Sequence, residues 1–347
     1  MSEPAPHQIG LQVGFAGVGH LGRALLAAAL PLAPEMVPVA AQDPSIAGLD
    51  AATALCPALA RFTDYETMLD HAALDAVVIS TPTYLHGPQA RAALDRGLHT
   101  LLQKPPALDS RDAAALLSSA ARSRGVLLVD YSYRYTATAQ AIRAAVAEGA
   151  LGRLLAIEAR FHNIWGPQQG WFFQRSTAGG GALLDLGVHL IDLALYLLDF
   201  PAARIAAAAL TRQGTPLREQ EVDAVEDFAV LDGEIAGAPF HCAVSWQAQI
   251  PQTEIGLTLS GSAATLIWRN QAGSFFDFEA LEAHNQWERP LARETTDLRT
   301  DTLRAFLAAC AGARPDYRSY AAVPRLIDEA LALAGLPGRP QSRPETR

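Results

Sequence analysis

The first third of the chain alternates between short apolar runs and stretches with helical spacing. Glycine or proline breaks most of these segments, which is the pattern of strands and helices joined by tight turns. Strands are predicted for Ile9–Ala16 ("IGLQVGFA"), "MVPVAAQD", "ALDAVVISTP", "HTLLQKP" and "VLLVDYSYR". Helices are predicted for "RALLAAAL", "HGPQARAALDRGL" and "SRDAAALLSSAARSRG", the last one capped by Ser110. This alternation predicts a doubly wound parallel sheet up to about residue 132.

The pattern changes after about residue 150. "RLLAIEARFHN" alternates like a strand, and a long apolar helix is predicted over about 181–198. Strands are then predicted in succession for "RIAAAAL", "VEDFAVLDG", "FHCAVSWQA", "EIGLTLSG", "AATLIWRN" and "SFFDFEALEA", before two closing helices. Strands without helices between them predict a large, mostly antiparallel open sheet.

The sequence therefore predicts an α/β protein with two domains. A Rossmann-type doubly wound domain is expected over 1–132, and an α+β domain over 133–335. The Pro- and Arg-rich residues 336–347 are expected to form a frayed tail. An exposed sheet face in the second domain is a surface that a second copy could cover, so a homodimer or homotetramer is expected.

Composition narrows the class of protein. The formal net charge of −9 argues against nucleic acid or an anionic membrane as the main partner. Three widely spaced cysteines (Cys56, Cys242 and Cys310) argue against a zinc ribbon or a disulfide framework. The first residues show no signal-peptide pattern, and acidic residues interrupt the longest apolar run, so we expect a cytoplasmic protein.

A glycine motif joins the first predicted strand to the first helix. Gly17, Gly19 and Gly22 form G-x-G-x-x-G, with His20 and Leu21 inside it. The first glycine permits a tight turn, the second lets a pyrophosphate approach the backbone, and the third lets the helix pack on the strand. The position of the motif favours a dinucleotide site over a glycine-rich turn of some other α/β protein.

Asp43 lies at the end of the second predicted strand, 21 positions after Gly22. A carboxylate there can accept hydrogen bonds from ribose hydroxyls and would repel a 2′-phosphate, which favours NAD while leaving NADP possible. An alternative is that Asp43 caps the following helix.

Lys104 is the only lysine among the 27 lysine and arginine residues. An arginine stays protonated, whereas a buried lysine can exchange a proton near neutral pH, so this position suits proton handling next to a nicotinamide. The alternative is an ordinary surface cation.

Asp185 and His189 are four residues apart on the predicted apolar helix, and Asp192 follows on the same face. A histidine oriented by a carboxylate is a common general acid/base unit. A structural core histidine is the alternative, and a metal site is geometrically possible but has no other support.

Further polar and aromatic residues could line a sugar site, because aromatic faces stack on sugar C–H groups and polar side chains bind hydroxyls. They could equally belong to a packed loop with exposed guanidinium groups. The candidates are Arg134, Trp165, Gln169, Trp171 and Arg175.

Four segments together resemble the Gfo/Idh/MocA family of oxidoreductases. They are "VGFAGVGHLG", "DAVVISTPTYLHGPQARAALDRGLHTLLQKPPAL", "YSYRY…EGALGRLLAI" and "GGGALLDLGVHLIDLALYLL". The resemblance implies a Rossmann domain followed by an open-sheet domain that often forms dimers or tetramers. It also implies oxidation or reduction of sugars, cyclitols or their derivatives with NAD or NADP.

The resemblance assigns roles to three residues. Lys104 corresponds to the lysine of the family's E-K-P motif, and Asp185 and His189 correspond to its D-x-x-x-H pair. His189 would take the proton of the reacting hydroxyl, Lys104 would hydrogen-bond that oxygen, and Asp185 would orient the pair.

A second part of the resemblance concerns the cofactor. Thr81, Pro82 and His86 match the family's T-P-x-x-x-H cofactor loop. The family usually has glutamate before the lysine, whereas this chain has Gln103, which can still bind a cofactor ribose but supplies no negative charge beside Lys104. Two alternatives to a dehydrogenase remain open: a non-catalytic NAD(P)-binding sensor, and a lyase or hydrolase that recycles a bound NAD.

Overall fold

The computed structural model describes residues 10–219 and 222–336. Its internal contacts group the chain into two units. The first comprises the chain up to Gln140 together with Glu294–Ala321, and the second comprises Ala141–Arg293 together with the chain from Ala322. Ile9 and residues 337–347, for which a strand start and a frayed tail were predicted, lie outside the described residues.

The first unit is built on a six-stranded parallel sheet with the order β3-β2-β1-β4-β5-β6. This order reverses between β1 and β4, which is the doubly wound arrangement that the sequence predicted. The strands are β1 (Leu11–Ala16), β2 (Met36–Gln42), β3 (Ala60–Phe62), β4 (Ala76–Ile79), β5 (His99–Leu102) and β6 (Leu127–Val129).

Ten α-helices accompany the strands in the described residues. Asp109, and not the predicted Ser110, caps the helix that begins at Ser110, because its carboxylate accepts the backbone N–H of Asp112 at 2.9 Å. The helices are α1 (His20–Ala29), α2 (Ile46–Leu55), α3 (Tyr65–His71), α4 (Thr83–Asp95), α5 (Ser110–Arg122), α6 (Ala137–Ala147), α7 (Arg175–Ala178), α8 (Val188–Leu197), α9 (Leu298–Cys310) and α10 (Arg318–Leu333).

Helix α9 completes the core of the first unit, although it follows the first six strands by about 170 residues of chain. Leu303 and Phe306 are fully buried in the same apolar cluster as Phe15 of β1 and Leu25 of α1. The predicted domain limits assign this helix to the second domain, whereas its core contacts are with the first unit. Those limits stay a prediction.

The second unit contains a nine-stranded sheet with the order β15-β14-β13-β12-β7-β11-β10-β8-β9. The pairing of β7 with β11 is parallel. The pairings β7–β12, β10–β11, β10–β8, β12–β13 and β13–β14 are antiparallel, which confirms a mostly antiparallel sheet. The strands are β7 (Leu154–His162), β8 (Ala203–Arg212), β9 (Thr215–Pro216), β10 (Phe228–Ile235), β11 (Ala238–Ser245), β12 (Glu254–Gly261), β13 (Thr265–Asn270), β14 (Asp277–His284) and β15 (Trp287–Thr295).

The helix predicted over 181–198 is not continuous α-helix. A turn of π-helix spans Leu183–Gly187, in which the N–H of Val188 donates to the carbonyl of Leu183, and α8 follows it. The helical stretch Arg175–Leu197 is the one among the described residues that is long and apolar enough to cross a membrane, and 83% of its most apolar window is buried. Such burial is typical of a core helix.

We expect Phe306→Ala to destabilise the first unit by about 3–5 kcal/mol, because it removes a fully buried aromatic ring from the core. Arg304→Ala on the exposed side of the same helix is the matched control and should change stability by less than about 0.5 kcal/mol. Urea unfolding measures both. Equal effects of the two substitutions would show that α9 is not part of this core.

Candidate active site

The glycine turn between β1 and α1 leaves one position open. A Cβ at Gly17, whose φ is +77°, would lie 2.8 Å from backbone atoms of Ser80 and Thr81. A Cβ at Gly22 would lie 1.9 Å from the carbonyl oxygen of Gly17, whereas a Cβ at Gly19 would have no heavy atom within 4 Å. The outer glycines are therefore required by packing, and Gly19 keeps the helix N-terminus accessible to a ligand.

Asp43 lies against this turn, directly after β2. Its Oδ2 accepts the backbone N–H of Val18 at 3.0 Å, and its Oδ1 accepts that of Ser45 at 2.9 Å. Ser45, not Asp43, caps helix α2. The carboxylate is thus held beside the glycine turn, at the position where the sequence predicted a ribose contact.

Two buried polar atoms near the same edge of the sheet lack a hydrogen-bond partner. They are Ser80 Oγ, directly after β4, and Gln42 Oε1, at the end of β2. Buried polar groups are normally satisfied, so such atoms mark a place where a ligand or water completes the bonding. The open Gly19, the adjacent carboxylate and the hydroxyl of Ser80 fit a dinucleotide in which a pyrophosphate meets the helix N-terminus and a ribose meets Asp43.

The predicted cofactor loop is tied to the segment that follows β5. His86 Nδ1 lies 2.7 Å from the carbonyl oxygen of Pro105, and its Nε2 lies 2.8 Å from that of Thr81. A neutral imidazole has one N–H, so both contacts together favour the charged ring. Burial lowers the pKa of His86, and the two carbonyl contacts oppose that shift. Thr81 Oγ1 also donates to Gln89 at 2.7 Å, and Pro82 directly precedes α4.

Lys104 is half-buried at the carboxyl end of β5, in the same unit as the glycine turn. The preceding residue, Gln103, is buried, and its Nε2 donates to Oδ2 of the buried Asp130. Thr302 Oγ1 donates to the other oxygen of Asp130 at 2.7 Å. Sequence reasoning missed Asp130, because it lies in a segment predicted as continuous strand and its second partner is 172 residues away.

The second unit carries the other proposed catalytic residues. Asp185 lies in the π-helical turn, and its Oδ2 accepts the indole N–H of Trp246 at 3.0 Å. His189 lies in the first turn of α8 and is half-buried like Asp185, whereas Asp192 is fully buried. Sequence reasoning missed Trp246 because it is 61 residues from its partner.

The glycine-rich lead into this turn is held in place by a buried carboxylate. Both oxygens of Glu226 lie 3.0 Å from the N–H of Gly181, and Oε1 also accepts the N–H of Leu183 at 2.9 Å. Burial raises the pKa of Glu226, while these backbone bonds and the nearby Arg175 oppose the shift. The glycine-rich segment before the π-helical turn is therefore anchored, and Glu226 is a further residue that the sequence did not reveal.

The predicted sugar-contact loop carries an aromatic cluster. Trp171 stacks on Phe172 and donates its indole N–H to Gln169 at 2.8 Å, while Phe172 and Phe173 meet the ring of Trp246 edge-on. Trp165 in the same loop is 66% exposed. Nearby, a cavity of about 450 Å³ is lined by His162, Asp227, Phe228, Ser245, Trp246, Gln247, Ala248, Gln249 and Ile250.

Two predicted substrate contacts are largely buried. Arg134 belongs to the first unit, where its guanidinium group lies over the rings of Tyr131 and Tyr320 and donates to Ser319. Arg175 belongs to the second unit, at the start of α7, and burial lowers its pKa, while Glu226 and Asp223 oppose that shift. Their contact with substrate stays a prediction. In the described parts of the chain, no group of three His, Cys, Asp or Glu side chains could hold a metal ion.

The parallel sheet, the glycine turn and the carboxylate beside it define a dinucleotide-binding protein. Residues 11–131 match the family model described as oxidoreductase family, NAD-binding Rossmann fold, and residues 139–267 match the GFO/IDH/MocA C-terminal domain. The chain belongs to the Gfo/Idh/MocA oxidoreductase family, and its first domain is an NAD-binding Rossmann domain.

The sequences of named relatives match part of this chain. A 1,5-anhydro-D-fructose reductase from Ensifer adhaerens is 34% identical over 218 residues, which cover 60% of this chain and 61% of that protein. A levoglucosan dehydrogenase from Pseudarthrobacter phenanthrenivorans is 30% identical over 234 residues, which cover 62% of this chain and 58% of that protein. The match thus spans about three fifths of the length of these relatives.

Solved structures extend the likeness in fold to almost the whole chain. A levoglucosan dehydrogenase in complex with NADH has a TM-score of 0.79 at 22% identity, covering 94% of this chain and 97% of that one. KijD10, a 3-ketoreductase from Actinomadura kijaniata in complex with NADP and TDP-benzene, has a TM-score of 0.79 at 21% identity. The likeness covers 93% of this chain and 97% of that one. At these identities the likeness establishes the fold alone.

We expect Gly19→Ala to weaken NAD binding at least about tenfold while leaving the protein folded, because the added methyl group enters the open space above the helix N-terminus. Gly22→Ala is the matched comparison and should instead lower the melting temperature, because its methyl group meets the carbonyl of Gly17. Calorimetric titration with NAD and thermal unfolding separate the two effects. Unchanged NAD affinity in Gly19→Ala would argue against this turn as the pyrophosphate site.

Proposed function

We propose that this protein is an NAD-dependent oxidoreductase that transfers a hydride between the nicotinamide and a hydroxyl or carbonyl group of a sugar, cyclitol or sugar derivative. The observation that carries the proposal is the glycine turn. A Cβ would clash with backbone atoms at Gly17 and Gly22 but would have free space at Gly19, and Asp43 lies beside the turn. The carboxylate of Asp43 favours NAD over NADP, because it would repel a 2′-phosphate.

The proposed reaction moves one hydride and one proton. An NAD held at the glycine turn and Asp43 would supply the hydride acceptor for the carbon that carries the reacting hydroxyl. His189 accepts the proton of that hydroxyl, and Lys104 donates a hydrogen bond to the oxygen as it becomes a carbonyl. Asp185 orients His189 and Lys104, and the same steps in reverse order reduce a carbonyl. Lys104 belongs to the first unit and the other two to the second, so their joint action is part of the proposal.

The local environment of Asp185 supports an orienting role. Its bond from Trp246 occupies one carboxylate oxygen, so the side chain is held in one orientation. It lies in a π-helical turn, and such turns occur frequently at functional sites because they shift the register of side chains along a helix.

A carbohydrate-like substrate is supported by the aromatic cluster around Trp246 and by the polar lining of the adjacent cavity. Aromatic rings offer stacking faces, and Ser245, Asp227 and Gln247 offer hydrogen-bond groups. The names of the relatives also point to sugars. On this basis we include Trp165, Arg175 and Arg134 as candidate substrate contacts.

We also propose that the protein is a cytoplasmic homodimer or homotetramer. Helix α8 contacts β7 and β12 of the nine-stranded sheet. Exposed side chains of the sheet strands include Leu155 and the His241–Asp232 pair. An open sheet face with paired charges is a surface that a second copy of the chain could cover.

We expect Lys104→Arg to retain NAD affinity within about threefold and to lose at least about 100-fold in kcat, because the larger planar guanidinium group keeps the charge but cannot place a donor where the compact ammonium group meets the reacting oxygen. The assay is NAD reduction with a panel of aldoses, cyclitols, sugar acids and nucleotide sugars, with NADP run in parallel.

Normal turnover by Lys104→Arg would contradict the proposed role of Lys104 as the donor to the reacting oxygen. Tight NAD binding without turnover of any panel member by the unsubstituted protein would count against a dehydrogenase. It would favour an NAD-binding sensor, or a lyase or hydrolase that recycles its cofactor.

We expect Trp246→Phe to lower kcat about tenfold with NAD affinity unchanged, because it deletes the indole N–H that holds Asp185 and keeps an aromatic ring in place. Trp287→Phe, at a half-exposed position on β15, is the matched control and should leave kcat unchanged. Steady-state kinetics on the best panel substrate provide the comparison. Equal kcat values in the two variants would exclude an orienting role for Trp246.

A further inference from the structure

We propose that Glu226 is a positioning residue for Asp185: its buried carboxylate fixes where the π-helical turn begins, and thereby the direction in which the carboxylate of Asp185 points. The contacts that carry this inference lie within the second unit. The inference rests on the proposed role of Asp185 in the reaction, but the orientation of Asp185 can be measured without substrate.

Glu226 binds the start of the helical stretch at three successive residues. Its carboxylate accepts the N–H of Gly181 at 3.0 Å and that of Leu183 at 2.9 Å, and its carbonyl oxygen accepts the N–H of Ala182 at 3.0 Å. The first N–H groups of a helix have no partner within the helix. Glu226 therefore supplies the bonds that the beginning of this helical stretch needs.

The contact between Glu226 and this segment leaves little room for adjustment. A Cβ at Gly181 would lie 1.8 Å from the carbonyl oxygen of Glu226, so the two backbones meet at a distance that only glycine allows. Glu226 is fully buried, and a buried carboxylate that lost its hydrogen bonds would be costly. The segment is therefore held in one register against the residues that precede β10.

This register decides where Asp185 faces. The N–H of Asp185 donates to the carbonyl oxygen of Gly181 at 3.0 Å, and the N–H of Val188 donates to that of Leu183. Both carbonyl groups belong to residues whose N–H groups are bound by Glu226. With 3.6 residues per turn, a helix displaced by one residue would rotate Asp185 by about 100° around the helix axis. Glu226 thus holds the turn in the register that directs Asp185 toward Trp246.

The neighbouring residue reaches Asp185 from the other side. The carbonyl oxygen of Asp227 accepts the backbone N–H of Trp246 at 2.8 Å, and the indole N–H of Trp246 donates to Asp185 at 3.0 Å. Glu226 and Asp227 are adjacent in the chain. One short segment therefore fixes both the backbone that carries Asp185 and the donor that binds its carboxylate.

This arrangement has a consequence for the proposed reaction. Glu226 binds backbone N–H groups of the turn, so it acts on the reaction through Asp185. A carboxylate that is already held in one orientation needs no reorganisation when the histidine beside it takes up a proton. Loss of this orientation should lower kcat without changing NAD affinity, because the glycine turn that is proposed to bind NAD lies in the first unit.

The indole NMR signal of Trp246 reports the orientation of Asp185. The chain has five tryptophans, and labelling with ¹⁵N-tryptophan gives one indole N–H signal for each. Trp246→Phe identifies the signal of Trp246, and Asp185→Ala gives its position without the carboxylate. Glu226→Gln keeps the size of the side chain but replaces one accepting oxygen by an N–H donor. Glu234→Gln, the same substitution at a half-exposed position of β10, is the matched control.

We expect the Trp246 signal to move upfield in Glu226→Gln, toward its position in Asp185→Ala, because an indole proton bound to a carboxylate is deshielded. The signal should stay in place in Glu234→Gln. With the best substrate of the panel, kcat should fall about tenfold in Glu226→Gln, with NAD affinity unchanged, whereas Glu234→Gln should alter neither value.

An unchanged Trp246 signal in folded Glu226→Gln, or an equal shift in Glu234→Gln, would overturn the proposal. If Glu226→Gln does not fold, Glu226→Asp, which keeps the charge but draws the oxygens back from the turn, takes its place with the same expected shift. Loss of folding in both variants would also overturn the proposal, because Glu226 would then serve the fold of the unit as a whole. The two proposals fail separately: a moved signal in Glu226→Gln together with normal turnover by Asp185→Ala would retain the positioning role of Glu226 and reject the role of Asp185 in the reaction.

Discussion

The close approach of Gly22 to the carbonyl oxygen of Gly17 is the constraint on which the first unit depends. Any side chain at either position would push α1 away from β1 or β1 away from the loop after β4. With α1 held this close, its N-terminus opens at Gly19, directly beside Asp43 and the buried hydroxyl of Ser80. The parallel sheet then places the ends of β2, β4 and β5 along one edge, where polar groups from distant parts of the sequence can act together.

Two buried carboxylates organise the segments that carry the proposed chemistry. Glu226 accepts backbone N–H groups at the start of the π-helical turn that contains Asp185, and Asp130 accepts side-chain donors next to Lys104. Each is costly to bury. Two backbone N–H groups of one segment compensate Glu226, and side chains from two different segments, Gln103 and Thr302, compensate Asp130. A carboxylate used in this way makes the position of a functional residue depend on the whole fold of its unit and not only on its local turn.

The sequence predicted the features that are encoded locally. The glycine spacing, the alternation of strands and helices, and the placement of Asp43 all follow from residues that are close along the chain, and the fold class was predicted correctly for that reason. Strand β15 was not predicted from the sequence, because it combines exposed charges with Pro290 and its pattern therefore resembles a loop. The π-helical turn was not predicted from the sequence, because one extra residue per turn leaves the apolar pattern of Leu183–Leu197 almost unchanged.

What local patterns do not encode is which distant residue completes a site. Thr302 reaches Asp130 only because α9 returns to the core of the first unit, and Trp246 reaches Asp185 only because β11 ends beside the π-helical turn. The same reasoning applies to the residue before the lysine. A neutral Gln103 implies a missing charge when the motif is considered alone, yet the neighbouring strand places a carboxylate one hydrogen bond away. Because electrostatic energy depends on distance in space and not on position along the chain, the charges around a motif are set by the neighbouring strand as well as by the motif itself.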